Sequence, residues 1–341
     1  MPVPERSWFT LREAPEEALR LLQDYRDAAS PELMSTFALA YPRLQRRIRE
    51  GRAHGLLWVG PKDDGIGFAI WSVVPSLGRQ CFLLYLAEGY RNAATFSQLL
   101  RQIETDPSGQ EKGPLVLVSE EVPGLPTEIA GKVFAERGFQ RCSRPAMVRR
   151  TGPPWPPVPP LPPDVRLRPI DPEDRARAER VSALAFRDGL SRLWFEDGDP
   201  FRSSAATFRL LEKGEWGRWR REASWVYERS GQVLGVGLVT HAPHRCPLLL
   251  SLSVLPEEQG HGIGRALLVE TLRSLHAKGE KELELNVVRE NASAFALYTS
   301  LGFEVVKGTE RGFWVRDPGP WSGGKPPGPG SAPGGGAAQG S

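Results

Sequence analysis

Thirteen consecutive positions read Thr151-Gly152-Pro153-Pro154-Trp155-Pro156-Pro157-Val158-Pro159-Pro160-Leu161-Pro162-Pro163. Such a run forms neither a helix nor a sheet ladder, because proline donates no N–H and holds φ near −65°. An extended polyproline spacer is predicted, and it divides the 341 residues into two bodies of ordinary domain size. The expected division is a first domain over 1–150, a proline-rich linker over 151–164 and a second domain over 165–317. The remainder, 318–341, is mostly Gly, Pro, Ser and Ala and is expected to be disordered.

The two bodies look like copies. Leu11-Arg12, then Pro15-Glu16-Glu17 and an apolar-periodic helix, parallels Leu167-Arg168, then Asp171-Pro172-Glu173-Asp174 and its helix. In the second copy Asp171 suits an N-cap and Pro172 the first helical position. Gly65-Ile66-Gly67-Phe68 parallels Val233-Leu234-Gly235-Val236, and Leu83 to Leu86 parallels the strand Leu248 to Val254. The stripe Phe96, Leu99, Leu100, Ile103 parallels Leu268, Leu272, Leu275, whose i, i+4, i+7 spacing gives a helix one core face. Last, Val133 to Phe139 parallels Leu297 to Phe303.

Composition supplies 40% hydrophobic residues, enough for two cores. A formal net charge of +3 is too small to make nucleic acid or an anionic membrane the main partner. Cys81, Cys142 and Cys246 are odd in number, far apart and without metal-ligand spacing, so reduced thiols are expected and no metal site. Met1 to Arg12 carries charge without a signal-peptide core, and no window approaches a membrane span. A cytoplasmic protein is expected.

Chemistry enters at Gln259-Gly260-His261-Gly262-Ile263-Gly264, between the apolar run ending at Leu255 and the helical Arg265-Ala266-Leu267-Leu268. Glycines there let backbone approach a ligand, and unpaired N–H groups at a helix start favour phosphate or pyrophosphate. The dinucleotide fingerprint would need its third glycine at Arg265, and a P-loop would need Gly-Lys-Ser/Thr, which is absent. Some thirty residues on, a strand Glu282 to Val288 precedes Asn291-Ala292-Ser293-Ala294-Phe295-Ala296-Leu297-Tyr298-Thr299-Ser300-Leu301-Gly302-Phe303.

The ordered pair Gln-x-x-Gly-x-Gly and Asn-x-x-Ala-x-x-Leu-Tyr-x-x-x-Gly-Phe resembles the GCN5-related N-acetyltransferase (GNAT) family, over roughly Val165 to Val315. The resemblance implies an α/β (α+β) fold in two tandem GNAT-like domains, each a mixed central sheet flanked by helices. It also implies acetyl-CoA, or another short acyl-CoA, wedged where the sheet splays. Cofactor contacts are expected from Leu252, Ser253, Val254, Gln259, Gly260, His261, Gly262, Ile263, Gly264, Arg265 and Asn291. The backbone of Leu248 to Val254 would pair with the pantetheine arm as an added strand does. Asn291 also suits the N-cap of the helix beginning at Ala292. A tandem chain with a weakened first copy resembles mycothiol synthases as well.

The activity implied is attack of a neutral primary amine on the acyl-CoA thioester, with a backbone N–H near Val254 for the oxyanion and Tyr298 as the general acid. The first copy lacks these features. It has Glu88-Gly89-Tyr90-Arg91-Asn92-Ala93-Ala94 in place of the glycine loop and Phe134 in place of Tyr298, so a degenerate, scaffolding domain is expected. Glu257 and Glu258 are expected to be solvated turn residues. The strand Cys246 to Val254 carries no carboxylate, which leaves His241, His244 or a water chain as the base.

The resemblance implies an acceptor side on Phe186 to Glu222, where Asp188, Glu196, Asp197 and Asp199 accompany Trp194, Trp216 and Trp219, with Trp225 just beyond. Carboxylates and aromatic faces suit a cationic amine, whether small molecule or peptide. A non-catalytic acyl-CoA sensor or partner-binding module is the competing function.

Overall fold

The computed structural model describes residues 7–30, 41–50, 53–61, 64–74, 78–105, 115–117, 122–187, 200–243 and 245–316. The expected disordered tail lies outside them. The first half runs β1 (Ser7–Thr10), α1 (Pro15–Ala28), α2 (Tyr41–Arg49), β2 (His54–Val59), β3 (Gly65–Val74), β4 (Gly78–Leu86), α3 (Ala93–Thr105), β5 (Leu115–Leu117), α4 (Thr127–Glu136), β6 (Gln140–Arg144) and β7 (Ala146–Arg150). The second runs β8 (Val165–Pro169), α5 (Arg175–Ala185), α6 (Pro200–Glu212), β9 (Arg218–Trp219), β10 (Trp225–Arg229), β11 (Gln232–His241), β12 (Leu248–Val254), α7 (Ile263–Ala277), β13 (Glu282–Asn286), α8 (Ala292–Ser300), β14 (Glu304–Val305) and β15 (Arg311–Arg316). Apart from the short β9, the two orders coincide element by element.

Helices cover both faces of each sheet, because each strand set is apolar on both. In the first sheet the α3 stripe Phe96, Leu99, Leu100 and Ile103 packs on Leu56, Trp58, Ile66 and Ala69. The opposite face takes Leu21, Leu22 and Tyr25 of α1 and Ile48 of α2. In the second, Leu268, Leu272 and Leu275 of α7 are fully buried with Leu249, Leu283 and Leu285. Ala178 and Val181 of α5 and Phe208 of α6 close the other side. No helix among the described residues is long and apolar enough to cross a membrane.

The halves nevertheless do not close on themselves. The first sheet has the order β1-β2-β3-β4-β5-β15-β6, and the second β8-β10-β11-β12-β13-β7-β14, with β9 beside β11. Each half thus gives its last strand to the other. β7 pairs antiparallel with β13 through Met147↔Leu285, and with β14 through Met147↔Val305. β15 lies antiparallel between β5 and β6, with Trp314 opposite both Leu117 and Arg141. The divisions at 150 and 165 therefore separate chain segments but not sheets. A two-residue apolar/polar period says that a strand is half-buried, and says nothing about which of two equivalent sheets receives it.

The proline run is pinned to the second half and is no free spacer. Thr151 is buried; its N–H donates to the Lys281 carbonyl at 3.0 Å and its hydroxyl to the Glu280 carbonyl at 2.5 Å. Trp155 donates Nε1–H to the Thr151 carbonyl at 2.8 Å, lies edge-on to His276 at 5.8 Å, and has the Arg273 guanidinium 5.5 Å from its ring centre. Val158 packs against both cores of the second sheet.

Candidate acyl-CoA site and comparison with known proteins

The centre of the site is an interruption of the second sheet. β12 pairs in parallel with β13 only at Leu248↔Glu284 and Leu249↔Leu285. On its other side it stays paired with β11 as far as Gly235↔Val254, with a bulge that leaves Leu250 without an opposite residue. From Leu250 to Val254 one edge of the strand is therefore unpaired within the sheet, in the interior of the fold. Backbone groups there must find a partner, and an amide-bearing extended ligand provides one. Leu252 and Val254 lie toward α7, each within 4 Å of the position a Cβ would take at Gly264. Ser253 is fully buried, and its hydroxyl lies 3.0 Å from that of Ser251.

The strand leads directly into the glycine loop. Gly260 and Gly262 have φ of +80° and +81°, a region that side-chain-bearing residues avoid. Gly262 is the N-cap of α7 and provides no side-chain cap. The Gly262 carbonyl accepts from Ala266 N at 3.0 Å, while the N–H groups of Ile263, Gly264 and Arg265 have no protein partner among the described residues. An uncapped first turn with its dipole is an anion site. Gln259 crosses back to donate Nε2–H to the Val254 carbonyl at 3.2 Å, tying loop to strand. His261 is exposed.

α8 closes the other wall. A Cβ at Gly264 would lie 3.2 Å from Leu297 Cδ2, so this glycine sets how closely α7 approaches α8. Arg265 links the same helices by donating to the Ser300 hydroxyl at 2.7 Å. Asn291 caps α8, its Oδ1 accepting from Ala294 N at 3.2 Å and from the Ser293 hydroxyl at 3.1 Å. Tyr298 is buried edge-on to Phe303 at 5.9 Å, and its hydroxyl has no protein partner among the described residues. Burial raises its phenol well above the ordinary value, which keeps it protonated.

The first half repeats the strand bulge but caps the helix that follows it. Among the described residues β4 pairs with β5 from Arg79 to Cys81, and Phe82 is the bulge residue matching Leu250. Past Leu86, Arg91 stands where Gln259 stands and makes the equivalent bond, its Nε–H donating to the Leu86 carbonyl at 3.1 Å, while its NH2 donates to the Tyr85 hydroxyl at 3.2 Å. Asn92 Oδ1 then accepts from Thr95 N at 3.0 Å, capping α3 where Gly262 leaves α7 open. Two residues fewer separate Leu86 from its helix than Val254 from α7. Phe134, at the Tyr298 position, packs among Phe96, Phe139 and Trp314. Aligning the halves shows the deletion; only the structure shows where Arg91 goes.

His241 fits the role of base poorly. Its Nδ1 lies 3.0 Å from Arg220 NH1 and its Nε2 2.7 Å from the Arg245 carbonyl, so both ring nitrogens are engaged. It belongs to an ion cluster in which buried Arg220 also pairs with Glu222 and Glu280. Glu258 is likewise not merely solvated, since it pairs with Arg229. Trp219 lies 3.7 Å under Arg221, and Trp225 donates to the Ser274 hydroxyl at 3.1 Å, which makes both packing residues. Trp216 is exposed. His244, Asp188, Trp194, Glu196, Asp197 and Asp199 lie outside the described residues. Among the described residues no group of side chains could hold a metal.

Residues 184–303, which contain the splay, the glycine loop and α8, match the model of the acetyltransferase (GNAT) family. The second half thus carries an acetyltransferase domain of the GNAT family. A mycothiol acetyltransferase of Amycolatopsis mediterranei is 29% identical over 241 residues, 67% of this chain and 73% of the relative. The [ribosomal protein bS18]-alanine N-acetyltransferase of Escherichia coli K12 is 46% identical, over 55 residues, 16% of this chain and 37% of the relative. Among solved structures, the GCN5-related glucosamine N-acetyltransferase region of a fungal multi-domain GH3 β-N-acetylglucosaminidase superposes on 92% of this chain and 38% of its own, with a TM-score of 0.51 at 14% identity. That likeness concerns fold, and it extends over both halves of the GNAT-type tandem.

Proposed function

We propose that the second half binds acetyl-CoA, or another short acyl-CoA, and passes the acyl group to a primary amine by direct attack in a ternary complex. One observation carries this. The unpaired edge Leu250 to Val254 runs straight into a helix N-terminus stripped of its cap, which places strand-type pairing and an anion cradle end to end. A molecule with an amide-rich arm followed by a pyrophosphate fits both.

The protein's part in the reaction follows from the residues. The unpaired edge of β12 fixes the arm, and a backbone N–H near Val254 faces the developing oxyanion. Ile263, Gly264 and Arg265 offer N–H groups to the phosphates. As the amine nitrogen bonds to the acyl carbon, the carbon–sulfur bond breaks and Tyr298 gives its proton to the departing thiolate. His241 being engaged, His244 or water carries away the amine proton.

A small-molecule acceptor is the better supported alternative to a protein N-terminus. The match to the mycothiol acetyltransferase runs over 241 residues and so reaches into both halves, whereas the match to the ribosomal-protein enzyme is confined to 55 residues. The deciding experiment follows free-thiol release from acetyl-CoA with a panel of small amines and alanine-initiated peptides. Amine-dependent release supports the transferase; tight binding of acetyl-CoA with no release for any amine would make the protein a sensor.

A further inference from the structure

We propose that the proline-rich linker is part of the acyl-CoA site, with Leu161 and its flanking prolines forming an apolar platform for the nucleotide end of the molecule. The inference rests on the acyl-CoA assignment above.

The linker retraces α7 from its end to its beginning. A Cβ at Gly152 would lie 3.4 Å from His276 in the last turn, Trp155 meets Arg273 and His276, and a Cβ at Gly262 would lie 3.8 Å from Pro159 Cγ. Pro159 therefore stands against the glycine loop itself. Three residues later the chain is pinned again. The Pro162 carbonyl accepts from Val165 N at 3.0 Å, Val165 is paired with Arg229, and Arg229 holds Glu258 at the entry to the same loop. Leu161 is thus bracketed by contacts to the two sides of the cradle.

A polyproline strand has three residues per turn, so Trp155, Val158 and Leu161 share one edge. Trp155 and Val158 use it to pack on the second half. Leu161, two residues past Pro159, is left 41% exposed. Prolines 157, 159, 160, 162 and 163 around it are exposed as well. A rigid apolar surface beside a pyrophosphate cradle suits the purine ring that follows a pyrophosphate, and being already ordered it binds with little entropic cost.

The test uses the full chain and titrates acetyl-CoA and acetyl-pantetheine, which lacks the nucleotide, into wild type, Leu161→Ser and Leu161→Phe. Leu161→Ser should weaken acetyl-CoA about fivefold, as expected for losing part of one side chain's buried apolar area. It should leave acetyl-pantetheine and the melting temperature unchanged, and Leu161→Phe should restore acetyl-CoA binding. Equal acetyl-CoA affinity in wild type and Leu161→Ser overturns the proposal, and so does equal weakening of both ligands, which would mean a general disturbance of the loop. Failure of wild type to bind acetyl-CoA at all would instead defeat the underlying assignment.

Discussion

Met147 lies directly across the sheet from Leu285, joining the last strand of the first half to the strand that bounds the splay in the second. Both side chains are buried in the core that also contains Tyr298, Leu301 and Phe303. The first half therefore supports the site by supplying a strand. In return Trp314 of β15 packs 4.9 Å from Phe134 in the first.

The exchange makes separation of the halves costly. Asp164 to Ser341 expressed alone would lack β7, leaving β13 and β14 without the strand between them and β15 without its sheet. This fragment should show no cooperative thermal unfolding and should aggregate, as unpaired edges do. Co-expression with 1–163 should restore a folded complex. Size-exclusion chromatography with circular dichroism checks both, and a monomeric, cooperatively melting fragment would show that β7 is dispensable.

What the sequence made legible was local. The periodic stripes, the repeated element order and the glycines with a helix behind them all follow from chemistry within a dozen residues, and the structure contains each of them. The strand exchange was not legible, because β7 and β15 compete for equivalent gaps and differ in partner while having the same local pattern. The capping of the first half's helix depends on Asn92 turning its side chain onto Thr95 N, a choice of rotamer. The linker's composition correctly excluded helix and ladder, but Trp155 and Val158 gave the sole sign that it would be held down.

Gly262→Val tests the cradle. Its φ of +81° is disfavoured for a β-branched residue by about 1–2 kcal/mol, while the nearest contact, Pro159, leaves room for a methyl group. The loop should relax and turn the N–H groups of Ile263 to Arg265 away from their common focus. Acetyl-CoA affinity measured by calorimetry should fall at least about tenfold. Unchanged affinity would remove the loop from the binding site.

One equivalent of acyl-CoA per chain is expected, because the first half's loop is two residues shorter and Asn92 caps the helix start that the second leaves open. Arg91→Ala should not raise the stoichiometry, since the loop remains two residues shorter. It should lower stability by about 1–2 kcal/mol through loss of the bonds to Leu86 and Tyr85. A second equivalent bound by either protein, seen in the calorimetric titration, would contradict this account.

Tyr298→Phe separates chemistry from packing, since it keeps the ring against Phe303 and removes only the hydroxyl. Turnover should drop roughly tenfold to a thousandfold with acyl-CoA affinity nearly intact, the usual size of a lost proton donor. The same variant has a signature in stability that activity cannot mimic. Burial raises the folded-state phenol above its ordinary value of 10.0. The stability associated with keeping it neutral is then fully present below pH 10 and is lost as pH rises toward the folded-state value, because the unfolded chain ionises first. Urea unfolding from pH 8 to pH 11 should therefore show a steeper alkaline loss in wild type than in Tyr298→Phe. Parallel curves would mean that the hydroxyl is solvated, and unchanged turnover with chemistry rate-limiting would leave Tyr298 as a packing residue.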